Sequence, residues 1–84
     1  MIIDDVKRVL SSTLQLGPRV SAFSTSSPLL GAIPELDSMA VVSLITALEE
    51  QFGITVEDDE IGAATFETLG SLTEFVEQKV ANAP

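Results

Sequence analysis

The chain predicts an all-α fold with four helical segments and one long connection. Three observations carry this. Apolar residues recur at spacings of three and four in the first, middle and last parts of the chain, the period of a helix face. Each of these stretches is bracketed by residues that start or stop helices. The only stretch with extended character, Ile54-Thr55-Val56, is too short to found a sheet.

Taken in order, Ile3, Val6, Leu10 and Leu14 define the first helix, with Ile2 and Val9 widening its stripe, and Gly17-Pro18 ends it. From residue 19 to 35 no period survives. Ser21, Ser24, Thr25, Ser26, Ser27, Pro28, Gly31 and Pro34 mark a loop longer than compact domains usually carry without a function. Phe23, Leu29, Leu30 and Ile33 are expected to pin it to the core; a flexible serine-rich linker is the other reading. The second helix runs from residue 37 or 38 to 52, with Asp37 as N-cap and Gly53 as its stop. Val41, Val42, Ile45, Leu48 and Phe52 form the expected inward stripe with Leu44 on its flank, leaving Met39, Ser43, Thr46 and Glu50 on the opposite face. Glu57-Asp58-Asp59-Glu60 offers an acidic first turn for a short third helix ending around Ala63-Ala64. Thr68 caps the last helix, in which Leu69, Leu72, Phe75 or Val76, and Val80 repeat, and the final three residues are expected to fray.

With 84 residues, the chain is one domain, 1–84, near the lower size limit for a single apolar core. Four phenylalanines are its only aromatics, so the core rests on Leu, Ile and Val. Burying eight to ten such side chains at about 1.5 to 3 kcal/mol each only modestly exceeds the conformational entropy lost, so marginal stability is expected. Thirteen acids against four bases give a net charge of −9, which repels nucleic acid and anionic lipid and attracts basic protein surfaces. The absence of cysteine removes disulfides, thiolate metal sites and thiol catalysis together. The longest apolar stretch, residues 39–48, is half the length that spans a bilayer, and no signal-peptide pattern opens the chain. A soluble, cytoplasmic monomer that neither inserts in membranes nor binds nucleic acid is expected.

Asp37-Ser38-Met39 is the most informative tripeptide. It places a hydroxyl at the start of an amphipathic helix in a chain with no histidine or cysteine to activate it, so Ser38 is better placed to be modified than to attack. A helix start presents free amides and a partial positive charge, which favours an attached phosphodiester by about 0.3 to 1 kcal/mol. Ser38 as a second capping hydroxyl is the competing interpretation. The acids at 57–60 are consecutive and lack the spacers and turn glycine of a calcium loop, so no metal site is expected. Glu49 and Glu50 diverge by about 100° on the helix and do not make a hydrolytic pair.

Leu36-Asp37-Ser38-Met39, the segment from Leu48-Glu49-Glu50-Gln51-Phe52 through Gly53-Ile54, the acidic run 57–60 and the helix 69–76 together resemble an acyl carrier protein over most of the chain. The resemblance implies a four-helix bundle with three longer helices, one short helix and a long loop between the first two. It implies that a phosphopantetheinyl transferase moves 4'-phosphopantetheine from coenzyme A onto Ser38, beside Asp37. Acyl-loading and acyl-transferring enzymes with basic docking surfaces are the further partners implied. Where such carriers often place acids, two and five residues after the serine, this chain has Ala40 and Ser43. Recognition is therefore expected to shift to Met39 and Thr46, with Glu49, Glu50, Glu57 and Asp58 supplying charge, while the loop is acid-poor with Glu35 opposed by Arg19. Val42, Leu48, Ile61, Phe66, Leu69 and Val76 are the expected acyl-chain lining, between the second and third helices.

The function expected is thus that of a non-enzymatic carrier of acyl thioesters in fatty acid, polyketide or related lipid or exopolysaccharide synthesis. An aminoacyl or peptidyl carrier is the alternative of the same shape, though it usually approaches its serine through Gly-Gly-x-Ser. The third reading is an acidic helical interaction module that is never modified.

Overall fold

A computed structural model of the chain describes residues 2–34 and 36–82, without the side chains of Asp58 and Ala63. Three long α-helices are present: α1 (Ile2–Leu14), α2 (Ser38–Phe52) and α3 (Leu69–Ala81). The short third helix expected from the acidic run is split into two 3-10 turns, Asp58–Glu60 and Ala63–Phe66, which extends it two residues beyond the expected end. No strand is formed among the described residues; one isolated bridge joins Pro28 to Thr68.

The helix ends follow the sequence at α2 and α3 and depart from it at α1. Gly53, in the left-handed region at φ 63°, closes α2, and the Ile54 amide donates to the Glu49 carbonyl at 3.1 Å, the six-residue closure of a Schellman turn. At α1 the left-handed residue that closes the helix is Gln15, φ 55°, and Gly17 of the expected stop, itself left-handed at φ 61°, comes two residues later. Leu16 donates to the Ser11 carbonyl at 3.1 Å, so the same closure forms two residues early and Gly17 instead opens a 3-10 helix, Gly17–Ala22. The loop is thus partly helical. Thr68 caps α3 as expected, and Ser71 completes a reciprocal capping box with it. Asn82, expected to fray, closes α3 with its side-chain amide on the Gln78 carbonyl at 2.8 Å; Ala83 and Pro84 lie outside the described residues.

Beyond residue 23 the loop is stitched to the start of α3 by main-chain bonds. The amides of Leu69 and Gly70, in the first turn of α3 where no intrahelical acceptor exists, donate to the carbonyls of Ser27 (2.9 Å) and Thr25 (2.8 Å). In return Leu29 and Leu30 donate to the carbonyls of Glu67 and Phe66, both at 2.9 Å. A flexible linker has no such fastening. Leu29 and Ile33 are buried and Phe23 is half-buried, as the sequence anticipates, but the Leu30 side chain is exposed and only its backbone is held.

The core joins Val6 and Leu10 of α1, Leu29 of the loop, Leu44 of α2, and Leu69, Leu72 and Val76 of α3, all fully buried. Leu44 and Leu48, four residues apart, are the deepest side chains of α2, so its inward face is centred on them. Val42, two positions from Leu44, is turned about 200° away and is exposed. The sequence placed Val42 inside and Leu44 on the flank; the structure reverses the two. α1 packs against both other long helices, whereas the backbones of α2 and α3 approach one another far less closely. Thr73, on α3, is the buried polar side chain without a partner among the described residues.

Candidate functional site

Asp37 is extended (φ −101°, ψ −174°), which aims its carboxylate along the helix that follows. Its Oδ1 accepts from the Ala40 amide at 2.8 Å, and its carbonyl accepts the Val41 amide at 2.9 Å. With that capping role filled, Ser38 is left free. It is the first residue of α2, its side chain is exposed, and its hydroxyl has no hydrogen bond among the described residues. The reading of Ser38 as a capping hydroxyl does not hold. No acid stands in the first turn of α2, and the adjacent Asp37 carboxylate is already tied to Ala40. Within α2, an anionic ester on Ser38 therefore meets helix-start amides and no opposing charge beyond the cap itself.

The residues expected to meet partners divide. Met39 is 79% exposed, beside Ser38, and Thr46 is exposed on the same side of α2 with its hydroxyl donating to the Val42 carbonyl at 3.2 Å. Glu50 is exposed and borders a surface hollow of about 330 Å³ between α1 and α2, with Arg8, Ser12 and Gln51. Glu49 is half-buried, and its Oε2 accepts the Val56 amide at 2.8 Å, which ties the chain after Gly53 back to α2. Glu57 is exposed, the side chain of Asp58 lies outside the described residues, and so does Glu35.

Glu60 closes the acidic run in a way the sequence did not announce. Both its carboxylate oxygens accept from Lys79 Nζ, at 2.8 and 2.9 Å, and Oε1 also accepts the Glu57 amide at 2.9 Å. The hydrogen bond from Lys79 and then that from the Glu57 amide hold this carboxyl below its ordinary range. Among the described residues no cluster of acids could hold a metal ion, and no helix is long and apolar enough to cross a membrane.

Of the expected acyl-chain lining, Leu48, Phe66, Leu69 and Val76 belong to one buried cluster and Ile61 packs on it. Val42 is 64% exposed and cannot line that interior. A phase error in a nearly continuous apolar run explains the miss: with Val41, Val42, Leu44 and Ile45 all apolar, the run alone does not fix which way the helix turns.

A largely aliphatic helical core that presents an exposed, unbonded serine at a helix start has the layout of a carrier domain. A family model described as a phosphopantetheine attachment site matches residues 4–76. The acyl carrier protein of Sulfurovum sp. (strain NBC37-1) is 39% identical over 77 residues, which is 90% of this chain and 95% of that one. That of Wolinella succinogenes is 38% identical over 77 residues, 90% and 93% of the two chains. A holo acyl carrier protein from Nitrosomonas europaea, solved by NMR, superposes with a TM-score of 0.89 at 57% identity, covering 95% of this chain and 96% of its own. A chain from the complex of an engineered Bradyrhizobium japonicum glycine:[carrier protein] ligase with the Agrobacterium tumefaciens carrier protein and ATP shares the fold, at TM-score 0.78 and 23% identity. The chain belongs to the acyl carrier protein family, whose members are carriers with a covalently attached phosphopantetheine.

Proposed function

We propose that Ser38 is the attachment residue and that the protein is a free-standing, single-domain, monomeric carrier in the cytoplasm. Its arm is set in place by a phosphopantetheinyl transferase acting with coenzyme A. The observation that carries this is the division of labour between neighbours: Asp37 caps α2 through Ala40, which leaves the Ser38 hydroxyl exposed and unbonded at the amide-rich end of the helix. The bound arm supplies the thiol that the sequence lacks, on which acyl groups ride as thioesters. The residues of the chain orient and shelter: Asp37 fixes the helix start beneath the ester, and Leu48, Ile61, Phe66, Leu69 and Val76 form the apolar interior that receives a chain by parting. Acyl-loading and acyl-transferring enzymes of fatty acid, polyketide or related lipid or exopolysaccharide synthesis are the partners this reading assigns.

Incubating the protein with coenzyme A and a promiscuous phosphopantetheinyl transferase, and weighing it intact, tests the assignment. A mass gain of one phosphopantetheine in the wild type and none in Ser38→Ala is the expected result. No gain in a folded wild type, or an undiminished gain in Ser38→Ala, overturns it. Subsequent loading with acyl and aminoacyl donors separates an acyl carrier from an aminoacyl one.

A further inference from the structure

The loop between α1 and α2 carries a groove that the carrier role described so far leaves unused. Phe23, Pro28, Ala32, Ile33 and Pro34, with Arg19, line it, and its volume is about 330 Å³. Ile33 is buried and Phe23 half-buried, while Pro28, Ala32 and Pro34 are exposed, so a concave apolar surface is left facing water. Its walls are fixed. The Leu29 carbonyl accepts the amides of Ala32 and Ile33 at 3.2 and 3.0 Å, the Phe23 amide donates to the Val20 carbonyl at 3.1 Å, and Pro28 is bridged to Thr68 at the start of α3. A groove held in this way loses little freedom when it is filled.

Reach from Ser38 says what fills it. The Leu36 amide donates to the Ile33 carbonyl at 3.0 Å, a turn that keeps the two α-carbons within about 7 Å. Ser38, two residues further, adds at most about 7 Å, so Ile33 stands within about 14 Å of the serine. A phosphopantetheine arm runs through about fourteen bonds from the serine oxygen to its sulfur and extends to about 18 Å, which is long enough to lie in the groove. The volume suits one such group, at the small end of the roughly 300 to 1,000 Å³ of small-molecule sites. So does the chemistry. The arm carries a gem-dimethyl group, a hydroxyl and two amides. The closed interior around Leu48, Leu69 and Val76 suits a hydrocarbon but would leave those polar groups without partners, whereas an open groove lets the methyls cover Phe23 and Ile33 while the amides stay wet. Arg19 brings one of the four bases of a chain of net charge −9 toward an arm that is held through an anionic phosphodiester. We propose that this groove is the resting site of the arm when it carries no acyl chain. The inference rests on the assignment of Ser38 as attachment residue. Tethering at Ser38 sets an effective concentration of about 1 mM, so a site with a Kd of about 1 mM is half filled.

The test compares the isotope-labelled apo and holo forms by NMR, with intact mass confirming a single phosphopantetheine on the holo chain. Nuclear Overhauser contacts are expected from the gem-dimethyl protons of the arm to the Phe23 ring and the Ile33 methyls, together with shifts between apo and holo forms at the amides of Phe23, Ala32 and Ile33. Ala32→Glu sets a carboxylate in the groove at an exposed position. Weakening the site about tenfold takes it from half filled to about a tenth, so the shifts at Phe23 and Ile33 are expected to shrink about fivefold. Gln78→Glu, which adds the same charge at an exposed position of α3 outside the groove, is expected to leave them unchanged. Arm contacts confined to α2 or to Leu48, Ile61 and Phe66 of the interior, shifts at Phe23 and Ile33 that are absent or that survive Ala32→Glu undiminished, or an equal loss in Gln78→Glu overturn the proposal while leaving Ser38 in place. If far-UV circular dichroism shows Ala32→Glu to be unfolded, the wild-type contacts decide alone. A folded wild type that gains no mass removes the Ser38 assignment and this inference with it.

Discussion

Gly70→Ala is expected to destabilise the protein, against what helix propensity alone dictates. In the interior of a helix the change ordinarily gains about 0.5 to 1 kcal/mol. Here a Cβ on residue 70 meets the Thr25 carbonyl oxygen at 2.6 Å and the Thr25 Cβ at 3.2 Å. The oxygen belongs to the backbone and is the acceptor of the Gly70 amide at 2.8 Å, so no side-chain rotation relieves the clash. Thr25 must retreat by about 0.8 Å to reach ordinary contact, which breaks that hydrogen bond and loosens the one from Leu69 to Ser27. Overpacking of this kind costs about 1 to 3 kcal/mol and a lost hydrogen bond about 0.5 to 1.5. Set against the propensity gain, the net loss is about 2 kcal/mol. The chain has neither tryptophan nor tyrosine, so urea unfolding is best followed by far-UV circular dichroism. With a slope of about 1 kcal/mol per molar urea, as small domains show, the midpoint falls by about 2 M. Gly62→Ala is the control, since Gly62 has an ordinary φ of −138° and open space around it, and its midpoint is expected to stay put. A Gly70→Ala protein as stable as wild type, or more so, refutes the idea that the loop is fastened against the first turn of α3.

Two further perturbations probe the same frame. Thr73→Val removes a buried hydroxyl that has no partner among the described residues and keeps the shape, so unfolding stability is expected to rise by about 1 to 2 kcal/mol; a fall would show that the hydroxyl is bonded in solution. Glu60 titrates below the usual 4.5 because Lys79 and the Glu57 amide bond its carboxylate. For a depressed carboxyl the stabilisation is complete above the unfolded value and is lost as pH falls through the folded one. Lys79→Met should therefore lie below wild type in urea midpoint by a constant margin near neutrality, and the gap should close as pH drops below about 4.5. A gap independent of pH would show that Lys79 acts through packing of its stem instead.

Side-chain chemistry made α2, its Asp37 cap, its Gly53 stop and the Thr68 start of α3 legible before any coordinates, because each depends on a residue type at a fixed offset. The position of Ser38 at the start of α2 was legible for the same reason, and geometry added that its neighbour takes the capping bond and that the serine is exposed. What the sequence hid has several causes. The bonds from Leu69, Gly70, Leu29 and Leu30 across the loop run between main-chain atoms, which any residue supplies, and only Gly70 hints at the close approach. The left-handed Gln15 was hidden behind a nearby glycine with a stronger claim to that conformation. Glu49 and Glu60 looked like free surface charge because their acceptor roles, toward Val56 and Lys79, depend on partners seven and nineteen residues away. Val42 was misplaced because an apolar run with few interruptions does not fix the phase of its own helix.

α1 touches both of the other long helices while α2 and α3 stay comparatively apart. If an acyl chain is sheltered between them as proposed, α1 would serve as the spine of a clasp, and a guest wedged between the two leaves would tilt one of them without undoing the spine. α2 bears Ser38 at its tip. A full carrier and an empty one would then differ in outline where an enzyme first meets them, so the freight inside could be sensed from outside.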